Sequence, residues 1–253
     1  MKAVAIIPAR YASSRFPAKA LTLIRGKSMI LRVYEQASKV QDLNEVIVAT
    51  DDQRIFDHLQ TAGARVVMTS PEHRSGTDRC AEVAAKLHDT DIILNIQGDE
   101  PYIQPEQIER LLRQLTQQEN CHIATLAQPI SNPEDIDNPN VVKLVKDKHN
   151  QALYFSRHPI PFRRDIELTQ WPGQYLRHIG LYGFRRSTLL AISQLPPGLL
   201  EQAEALEQLR WLENDYAISV AISEHHSISI DTPEDLQRLE DWLDQRDSLS
   251  SLQ

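Results

Sequence analysis

The segment between residues 10 and 19 carries cations and hydroxyl groups at a spacing that suits a polyanion. Arg10, Arg15 and Lys19 fall within ten residues, and Ser13 and Ser14 lie between them. Fixed cations and backbone amides in one loop can offset the charge that develops as a phosphoryl bond breaks, so the cluster predicts a triphosphate site. The segment lacks the Walker pattern GxxxxGK[ST], and the other interpretation is a solvated basic turn.

Two carboxylates stand where they could hold a metal beside such a site. Asp99, in Gln97-Gly98-Asp99-Glu100-Pro101, follows the most hydrophobic predicted strand. A carboxylate facing a triphosphate indicates Mg²⁺, which needs only one or two carboxylates plus substrate phosphate. Asp231 follows a predicted strand, Ser227–Ile230, and is the expected second ligand. Its other interpretation is a capping or turn carboxylate.

The run Ser75-Gly76-Thr77-Asp78-Arg79 leads into a predicted helix. Ser75 or Thr77 suits the N-cap, and Gly76 allows close approach of a ligand to the backbone. Because this run follows a predicted strand, it suggests a site that recognises a base or sugar. The alternative interpretation is a capped helix start without a binding role. Arg79 could instead pair with Glu82 on the helix surface.

The elements that position these loops alternate between short apolar runs and amphipathic segments, which is typical of βαβ units with a parallel sheet. Ligands bind beyond the carboxyl ends of such strands, so the loops after Ile7, Ala49, Met68 and Ile96 should converge on one site. The predicted segments of this part are Ala3–Ile7, Met29–Lys39, Val46–Ala49, Gln53–Thr61, Arg65–Met68, Thr77–Leu87, Ile92–Ile96 and Pro105–Leu115.

Residues from about 123 to 186 change character, because polar and proline-containing connections separate their strand-like runs. This part is predicted to be an antiparallel insertion within one domain spanning residues 1–253. A continuous helix is expected over Leu200–Glu213, and a last helix begins after Thr232 as N-cap with Pro233 at its first position. The sequence therefore predicts an α/β fold.

Bulk composition restricts the class of protein. The formal net charge of −8 argues against a nucleic-acid or anionic-membrane partner. Every apolar segment is interrupted before the roughly 20 residues that a bilayer requires, so no membrane insertion is expected. Cys80 and Cys121 lack metal-type spacing and are expected to be reduced thiols. A soluble, cytoplasmic protein is the expectation.

Over nearly its whole length the chain resembles the 3-deoxy-manno-octulosonate (KDO) cytidylyltransferases, or CMP-KDO synthetases. The resemblance is carried by the order and spacing of IPARYASSRFPAKAL, VIVATDD, VVMTSPEHRSGTDR, NIQGDEPYI, NPNVVK, ALYFSRHPIPF, YLRHIGLYGFR, LEQLRWLE and IDTPEDL. It implies a Rossmann-like nucleotidyltransferase fold whose insertion serves dimerisation. It also implies a homodimer in the cytoplasm of a Gram-negative bacterium, which transfers CMP from CTP to the anomeric hydroxyl of KDO for lipopolysaccharide biosynthesis.

The same resemblance implies roles for individual residues. The catalytic set would be Lys19, Arg10, Asp99 and Asp231, of which Asp99 and Asp231 would hold magnesium. The CTP phosphates would meet Arg10, Ser13, Arg15 and Lys19, and the cytidine would lie near Pro8, Ala9, Ser75 and Arg79. The acceptor sugar would be bound by Gln97, Arg157, His178, Tyr182, Glu207 and Gln208, with Arg157 or His178 pairing with its carboxylate.

The first loop departs from the family pattern, which usually has glycine at positions 12 and 18 and proline at position 20. This chain has Ala12, Ala18 and Ala20. Alanine fits any conformation in which φ is negative, and all the charged groups remain. Catalysis is therefore expected to survive, with altered affinity for CTP.

Three other functions stay open at this point. The chain could be a catalytically silent paralogue that binds CTP or sugar as a regulatory or structural dimer. It could use another acceptor, such as the 8-amino analogue of the octulosonate, a capsule-dedicated route or sialic acid. It could also be a uridylyl- or guanylyltransferase, because the first loop can recognise the charge of the phosphates but not the identity of the base.

Overall fold

A computed structural model of the chain describes residues 1–12, 16–168, 171, 173–225, 229–230 and 232–250, with side chains up to Asp244. The strands are β1 (Ala3–Ala9), β2 (Leu23–Ile24), β3 (Lys27–Ser28), β4 (Glu45–Thr50), β5 (Val66–Met68), β6 (Ile92–Asn95), β7 (Ile123–Pro129), β8 (Lys143–Lys146), β9 (Ala152–Ser156), β10 (Leu176–Arg185) and β11 (Ile218–Ile222). The helices are α1 (Met29–Ala37), α2 (Gln53–Thr61), α3 (Gly76–Ala85), α4 (Pro105–Gln117), α5 (Glu134–Asp137), α6 (Arg186–Ile192), α7 (Leu199–Glu204), α8 (Gln208–Glu213) and α9 (Pro233–Ser250).

The chain divides into two compact units. The N-terminal unit comprises Val4–Lys86, Asn95–Pro105 and Ser227–Gln253, and the central unit comprises Met1–Ala3, Leu87–Leu94 and Glu106–His226. The prediction of a single domain with a dimerisation subregion stays a prediction.

Parallel strands form the core of the N-terminal unit. β4 lies between β1 and β5 and pairs in parallel with both. Nearly every side chain of β1 and β4 is buried, as expected for strands that helices cover on both faces. The amide of Ile96 donates to the carbonyl of Ile6 at 3.0 Å, which places the Gln97–Asp99 loop beside the end of β1.

Side-chain caps fix where the helices of this unit begin. The Asp52 carboxylate accepts from the amide of Arg54 at the start of α2, and Ser75 with Asp78 forms a capping box at the start of α3. Thr232 and Asp235 exchange hydrogen bonds in the same way before α9. Each cap satisfies amides that a helix start leaves without a partner.

Mixed pairing characterises the central unit. β7 pairs in parallel with β11 and antiparallel with β10, while β8 pairs antiparallel with β9 and β10. β10 is longer than the predicted run Leu181–Phe184, and its register shifts between Ile179 and Tyr182. The strands predicted between residues 123 and 186 therefore pair antiparallel with one another.

Two predicted elements are wrong in detail. The continuous helix Leu200–Glu213 is two helices, α7 and α8, because Ala205 adopts a left-handed conformation with φ of +50° and ends α7. The predicted strand Ser227–Ile230 is not seen at its described residues, Ser229 and Ile230. The amide of Ile230 instead donates to the carbonyl of Asp99 at 2.9 Å. Among the described residues, no helix combines the length and apolarity needed to cross a membrane.

Candidate active site

A cavity of about 280 Å³ opens at the carboxyl ends of the strands in the N-terminal unit. Its walls come from the loops that follow β1, β5 and β6, so the predicted convergence is confirmed for three of the four loops, and the loop after β4 is not among the lining residues. The lining residues are Pro8, Ala9, Arg10, Lys19, Ala20, His73, Arg74, Ser75, Gly76, Arg79, Gln97, Gly98 and Asp99. Four of them are arginine or lysine and one is a carboxylate, so the cavity favours an anion although the whole chain is acidic.

Lys19 and Asp99 form the ion pair at the centre of this cavity. The Lys19 Nζ lies 2.8 Å from the Asp99 Oδ2, and both side chains are mostly buried. Lys19 begins a 3-10 turn, Lys19–Leu21, directly after Ala18, whose φ is +58°. The predicted alternative for this loop, a solvated basic turn, does not fit a lysine that is paired inside a cavity.

Three predicted residues cannot be placed in this geometry. Ser13, Arg15 and Asp231 lie outside the described residues, so the phosphate contacts and the second metal ligand predicted there stay predictions. Arg10 lines the cavity and is exposed, which leaves its guanidinium accessible to a ligand.

Two glycines let the loops of the cavity approach the Pro8 backbone and ring. A Cβ at Gly98 would lie 3.0 Å from the carbonyl oxygen of Pro8, and a Cβ at Gly76 would lie 3.0 Å from the Pro8 Cγ. Such distances are shorter than ordinary carbon contacts. The sequence therefore brings Pro8, Gly76 and Gly98 together at one corner, where a planar base could be held against backbone.

Arg79 is buried behind the α3 start and does not make the surface pair with Glu82 that was the alternative prediction. Its Nη2 donates to the Asp51 Oδ2 at 2.8 Å, and its Nη1 donates to the Thr69 Oγ1 at 2.5 Å. Asp51 follows β4 and Thr69 follows β5, so Arg79 links the start of α3 to two strand ends. Of the two predicted caps, Ser75 is the one that accepts from the backbone of α3.

Sequence reasoning missed His73, Arg74 and Glu82. His73 and Arg74 line the cavity, and the His73 Nε2 lies 2.7 Å from the Glu82 Oε2. Burial raises the pKa of Glu82, but hydrogen bonds from the Ser70 amide, Lys86 and His73 outweigh it and lower that pKa to about 2. The charged Glu82 thus anchors the segment before Ser75. The sequence does contain a signal for the first two, because His73 and Arg74 directly precede the predicted start of a helix in a loop that was expected to line the site.

The last helix supports the cavity from below. Leu239 and Leu243 of α9 pack with Ile24 and Met29 in one apolar cluster, and Phe16 lies against it. Ile230 belongs to the same cluster and donates its amide to the Asp99 carbonyl, so α9 packs with residues from the segments that carry Lys19 and Asp99.

The described donor set fits a magnesium ion held together with a substrate. Asp99 supplies one carboxylate that is partly open to the cavity, and no cluster of three or more metal-type side chains occurs among the described residues. That set suits an ion that takes oxygen ligands from one or two carboxylates, substrate phosphate and water.

Residues predicted to bind the acceptor lie mainly in the central unit. Arg157, at the end of β9, donates from Nε to the Glu204 carbonyl at 2.8 Å, from Nη1 to the Pro139 carbonyl at 3.0 Å and from Nη2 to the Ala205 carbonyl at 3.3 Å. Guanidinium carries five N–H groups. Arg157 is therefore fixed by backbone carbonyls through three of these N–H groups.

His178 stands among aromatic rings and is uncharged. Its ring lies edge-on to Phe155 and tilted to Tyr182, and its Nε2 lies 3.0 Å from the Thr125 Oγ1. Burial, with the positive charge of Arg177, lowers the pKa of His178 to about 3. Of the two predicted partners for the sugar's carboxylate, only Arg157 carries a charge at neutral pH. His178 offers a neutral donor and acceptor instead.

Tyr182, Glu207 and Gln208 lie near this aromatic group. The Tyr182 ring packs edge-on against Trp211 at 4.9 Å and beside Phe184. Glu207 precedes α8, and Gln208 begins it. The Gln208 Nε2 is buried without a partner among the described residues, which is costly unless a ligand or water accepts its hydrogen bond.

Gln97, the remaining acceptor prediction, lies in the N-terminal unit, where it lines the cavity and bonds to Asn95 at 3.4 Å. Sequence reasoning also missed Lys143. Its side chain is fully buried, and its Nζ donates to the carbonyls of Asn138 and Arg157 at 2.8 and 2.5 Å.

Comparisons with known proteins agree with this arrangement. A sequence profile described as Cytidylyltransferase matches residues 4–222. The 3-deoxy-manno-octulosonate cytidylyltransferase of Parabacteroides distasonis is 51% identical, with 94% of this chain and 96% of that one aligned. The enzyme of the same description from Phocaeicola vulgatus is 50% identical over 98% of this chain and 99% of its own.

A solved structure, CMP:2-keto-3-deoxy-manno-octonic acid synthetase complexed with CTP, is similar in fold as well. It superposes with a TM-score of 0.90 at 42% identity and covers 97% of this chain and 100% of that one. The predicted fold class, a mostly parallel sheet flanked by helices as in nucleotidyltransferases, is thereby confirmed. Within that class, the chain belongs to the 3-deoxy-manno-octulosonate cytidylyltransferase family.

Proposed function

We propose that this protein transfers CMP from CTP to the anomeric hydroxyl of 3-deoxy-D-manno-octulosonate and releases pyrophosphate. The observation that carries the proposal is the Lys19 and Asp99 pair in a cavity rich in arginine and lysine. Identity near 50% with relatives described as 3-deoxy-manno-octulosonate cytidylyltransferases supports the same reaction. The product is an activated sugar for lipopolysaccharide biosynthesis.

In the proposed reaction the anomeric oxygen attacks the α-phosphorus in line with the leaving group. The new O–P bond forms as the bond from the α-phosphorus to the bridging oxygen breaks, pyrophosphate leaves, and the hydroxyl proton passes to solvent water. Lys19 and Arg10 offset charge on the phosphates, joined by Ser13 and Arg15. Catalysis of this type depends on positioning and fixed charge. Mg²⁺ on Asp99 and Asp231 would supply further positive charge to the phosphate oxygens.

Base and ribose are proposed to lie against Pro8, Ala9, Ser75 and Arg79. Support comes from the close approach of Gly76 and Gly98 to Pro8. We assign the acceptor to Gln97, Arg157, His178, Tyr182, Glu207 and Gln208. In this assignment Arg157 meets the sugar's carboxylate and the neutral side chains meet its hydroxyl groups.

The protein is further proposed to be a cytoplasmic homodimer, with a contact in the predicted insertion. Phe162 is 83% exposed and Leu153 is 60% exposed. Large apolar side chains at such exposure are typical of contact surfaces when they cluster. Light scattering after size-exclusion chromatography tests this point: a Phe162→Glu variant should elute as a monomer, and a wild-type monomer would contradict the proposal.

Pyrophosphate release measured with purified protein, Mg²⁺, each of the four nucleoside triphosphates and each candidate sugar tests the activity. We expect turnover with CTP and 3-deoxy-D-manno-octulosonate and at least about 100-fold lower kcat/KM with the 8-amino analogue, sialic acid, UTP or GTP. No release with any pair would favour a silent paralogue, and a faster 8-amino analogue would reassign the acceptor.

A further inference from the structure

The corner between α7 and α8 is tied to the end of β9 by bonds that run in both directions. The Glu204 carboxylate accepts from the Ser156 Oγ at 2.6 Å and from the Arg157 amide at 2.9 Å. Arg157 returns two bonds, from Nε to the Glu204 carbonyl and from Nη2 to the Ala205 carbonyl. Hydrogen bonds to charged groups are stronger than neutral ones. We call this set of four bonds, between Ser156 and Arg157 on one side and Glu204 and Ala205 on the other, the clamp.

A second set of bonds prevents the β9 side of this clamp from moving. The buried Lys143 Nζ donates to the Arg157 carbonyl and also to the carbonyl of Asn138. The Arg157 Nη1 reaches the neighbouring Pro139 carbonyl at 3.0 Å. These bonds hold the end of β9 in place. The bonds that Glu204 accepts from Ser156 and Arg157 then hold the corner between α7 and α8 against that strand end.

The corner held by Glu204 leads directly to Gln208. Ala205 turns the chain with a φ of +50°, and only Leu206 and Glu207 separate it from α8. Gln208 is 5% exposed, and its Nε2 has no hydrogen-bond partner among the described residues. A buried amide without a hydrogen-bond partner is destabilising, so neighbouring structure must hold it in place.

We infer that Glu204 is a positioning residue for the acceptor sugar, which it serves by holding the start of α8 so that the Gln208 amide points toward the ligand. The inference rests on the proposed function, because it takes the octulosonate as the ligand of Gln208. Glu204 itself need not touch the sugar.

Glu204→Gln tests the clamp with little change in size. The amide keeps one acceptor oxygen but cannot accept from both Ser156 and Arg157. The KM for the octulosonate should rise about 10-fold, while kcat and the KM for CTP stay within about twofold. Ser156→Ala removes one of the two donors to Glu204, together with the Oγ that accepts from the His158 amide, and should raise the same KM by about threefold. Gln202→Ala, on the exposed side of α7, is the matched control and should change neither constant.

A double-mutant cycle separates positioning from general loss of structure. If Glu204 acts through Gln208, then Glu204→Gln should add less than about twofold to the KM for the sugar once Gln208→Met is present. Independent, multiplicative effects would overturn the inference, as would an unchanged KM for the sugar in Glu204→Gln. Absence of turnover in the wild type with CTP and octulosonate would instead overturn the proposed function. Should Glu204→Gln not fold, Ser156→Ala carries the same cycle.

Discussion

The predicted functional side chains have different kinds of partner in the two units. In the N-terminal unit opposite charges meet directly, with Lys19 on Asp99 and Arg79 on Asp51, both at 2.8 Å. In the central unit Arg157 donates to backbone carbonyls, and His178 is neutral. Paired charges can exchange one partner for phosphate or metal, whereas a neutral imidazole such as that of His178 and a carboxamide such as that of Gln208 suit the hydroxyl groups of a sugar.

The largest effect is expected on the charged side. Asp99→Ala removes the carboxylate that pairs with Lys19 and that lines the cavity, so kcat/KM for CTP should fall by more than about 10³-fold. Asp57→Ala is the control, because Asp57 is an exposed carboxylate on α2 that bonds to Gln53. A coupled pyrophosphate assay measures both variants. Normal turnover in Asp99→Ala would show that Asp99 does not hold a catalytic magnesium ion. The contrast between a charged N-terminal unit and a neutral central unit would then have no functional meaning.

A smaller effect with a different signature is expected on the neutral side. Gln208→Met keeps the shape of the side chain and removes an amide without a described partner for its Nε2. The KM for the octulosonate should rise about 10- to 100-fold with the KM for CTP unchanged, while the free energy of unfolding stays equal or rises by about 1 kcal/mol. Steady-state kinetics and urea titration give both quantities. A loss of stability without a change in KM would make Gln208 a packing residue only.

The neutrality of His178 predicts a pH dependence of stability. Its pKa is about 3 in the folded chain against 6.5 for an ordinary histidine. Between those values the unfolded chain binds the extra proton, so the free energy of unfolding falls as the pH is lowered through that window. About 2 kcal/mol of the wild-type loss between pH 7.5 and pH 5 should be absent in His178→Gln.

Urea titrations of both proteins at the two pH values measure this difference. The carboxylates titrate alike in both and cancel in the comparison. Parallel losses of stability would mean that His178 is protonated normally in the folded chain, and the neutral character assigned to this side would be wrong.

The sequence predicted the N-terminal unit well because its signals are local. Alternating apolar runs and side-chain caps fix β1, α2 and α3, and parallel strands bring Arg10, Lys19 and Asp99 to one edge. The pairing of Arg79 with Asp51 was not predictable in the same way. It depends on how α3 packs, and Glu82 at helical spacing was an equally good local partner.

The α7 and α8 corner shows where local signals fail. Ala205 interrupts a run of good helix formers, and alanine is the strongest of them. The bonds at this corner are long-range: the Arg157 amide donates to the Glu204 carboxylate and the Arg157 Nη2 donates to the Ala205 carbonyl, across nearly fifty residues of sequence. The bonds from Arg157 to the Glu204, Pro139 and Ala205 carbonyls were not predictable for the same reason, and its contact with the sugar's carboxylate stays a prediction.

The smallest predicted effect concerns the loop that first indicated a phosphate site. Ala18 has φ of +58° and ψ of +19°, and its amide donates to the Tyr11 carbonyl at 3.2 Å. The expectation that alanine sits in an ordinary conformation is therefore wrong at this position, since a Cβ there costs about 1–2 kcal/mol. Glycine relieves that cost but loses more entropy on folding. Ala18→Gly should therefore stabilise the protein by about 1 kcal/mol, seen as a rise in Tm of about 2–4 °C.

Ala20→Gly is the matched control, because Ala20 is buried and its φ is not among the positive values of the described residues. It should lower the free energy of unfolding by about 1 kcal/mol. Because Ala18→Gly leaves every charge in place, its KM for CTP should change less than about threefold. A destabilised Ala18→Gly would show that the rigid alanine holds Lys19 against Asp99. A large gain in activity would show instead that the backbone of this loop, more than its charges, limits the reaction.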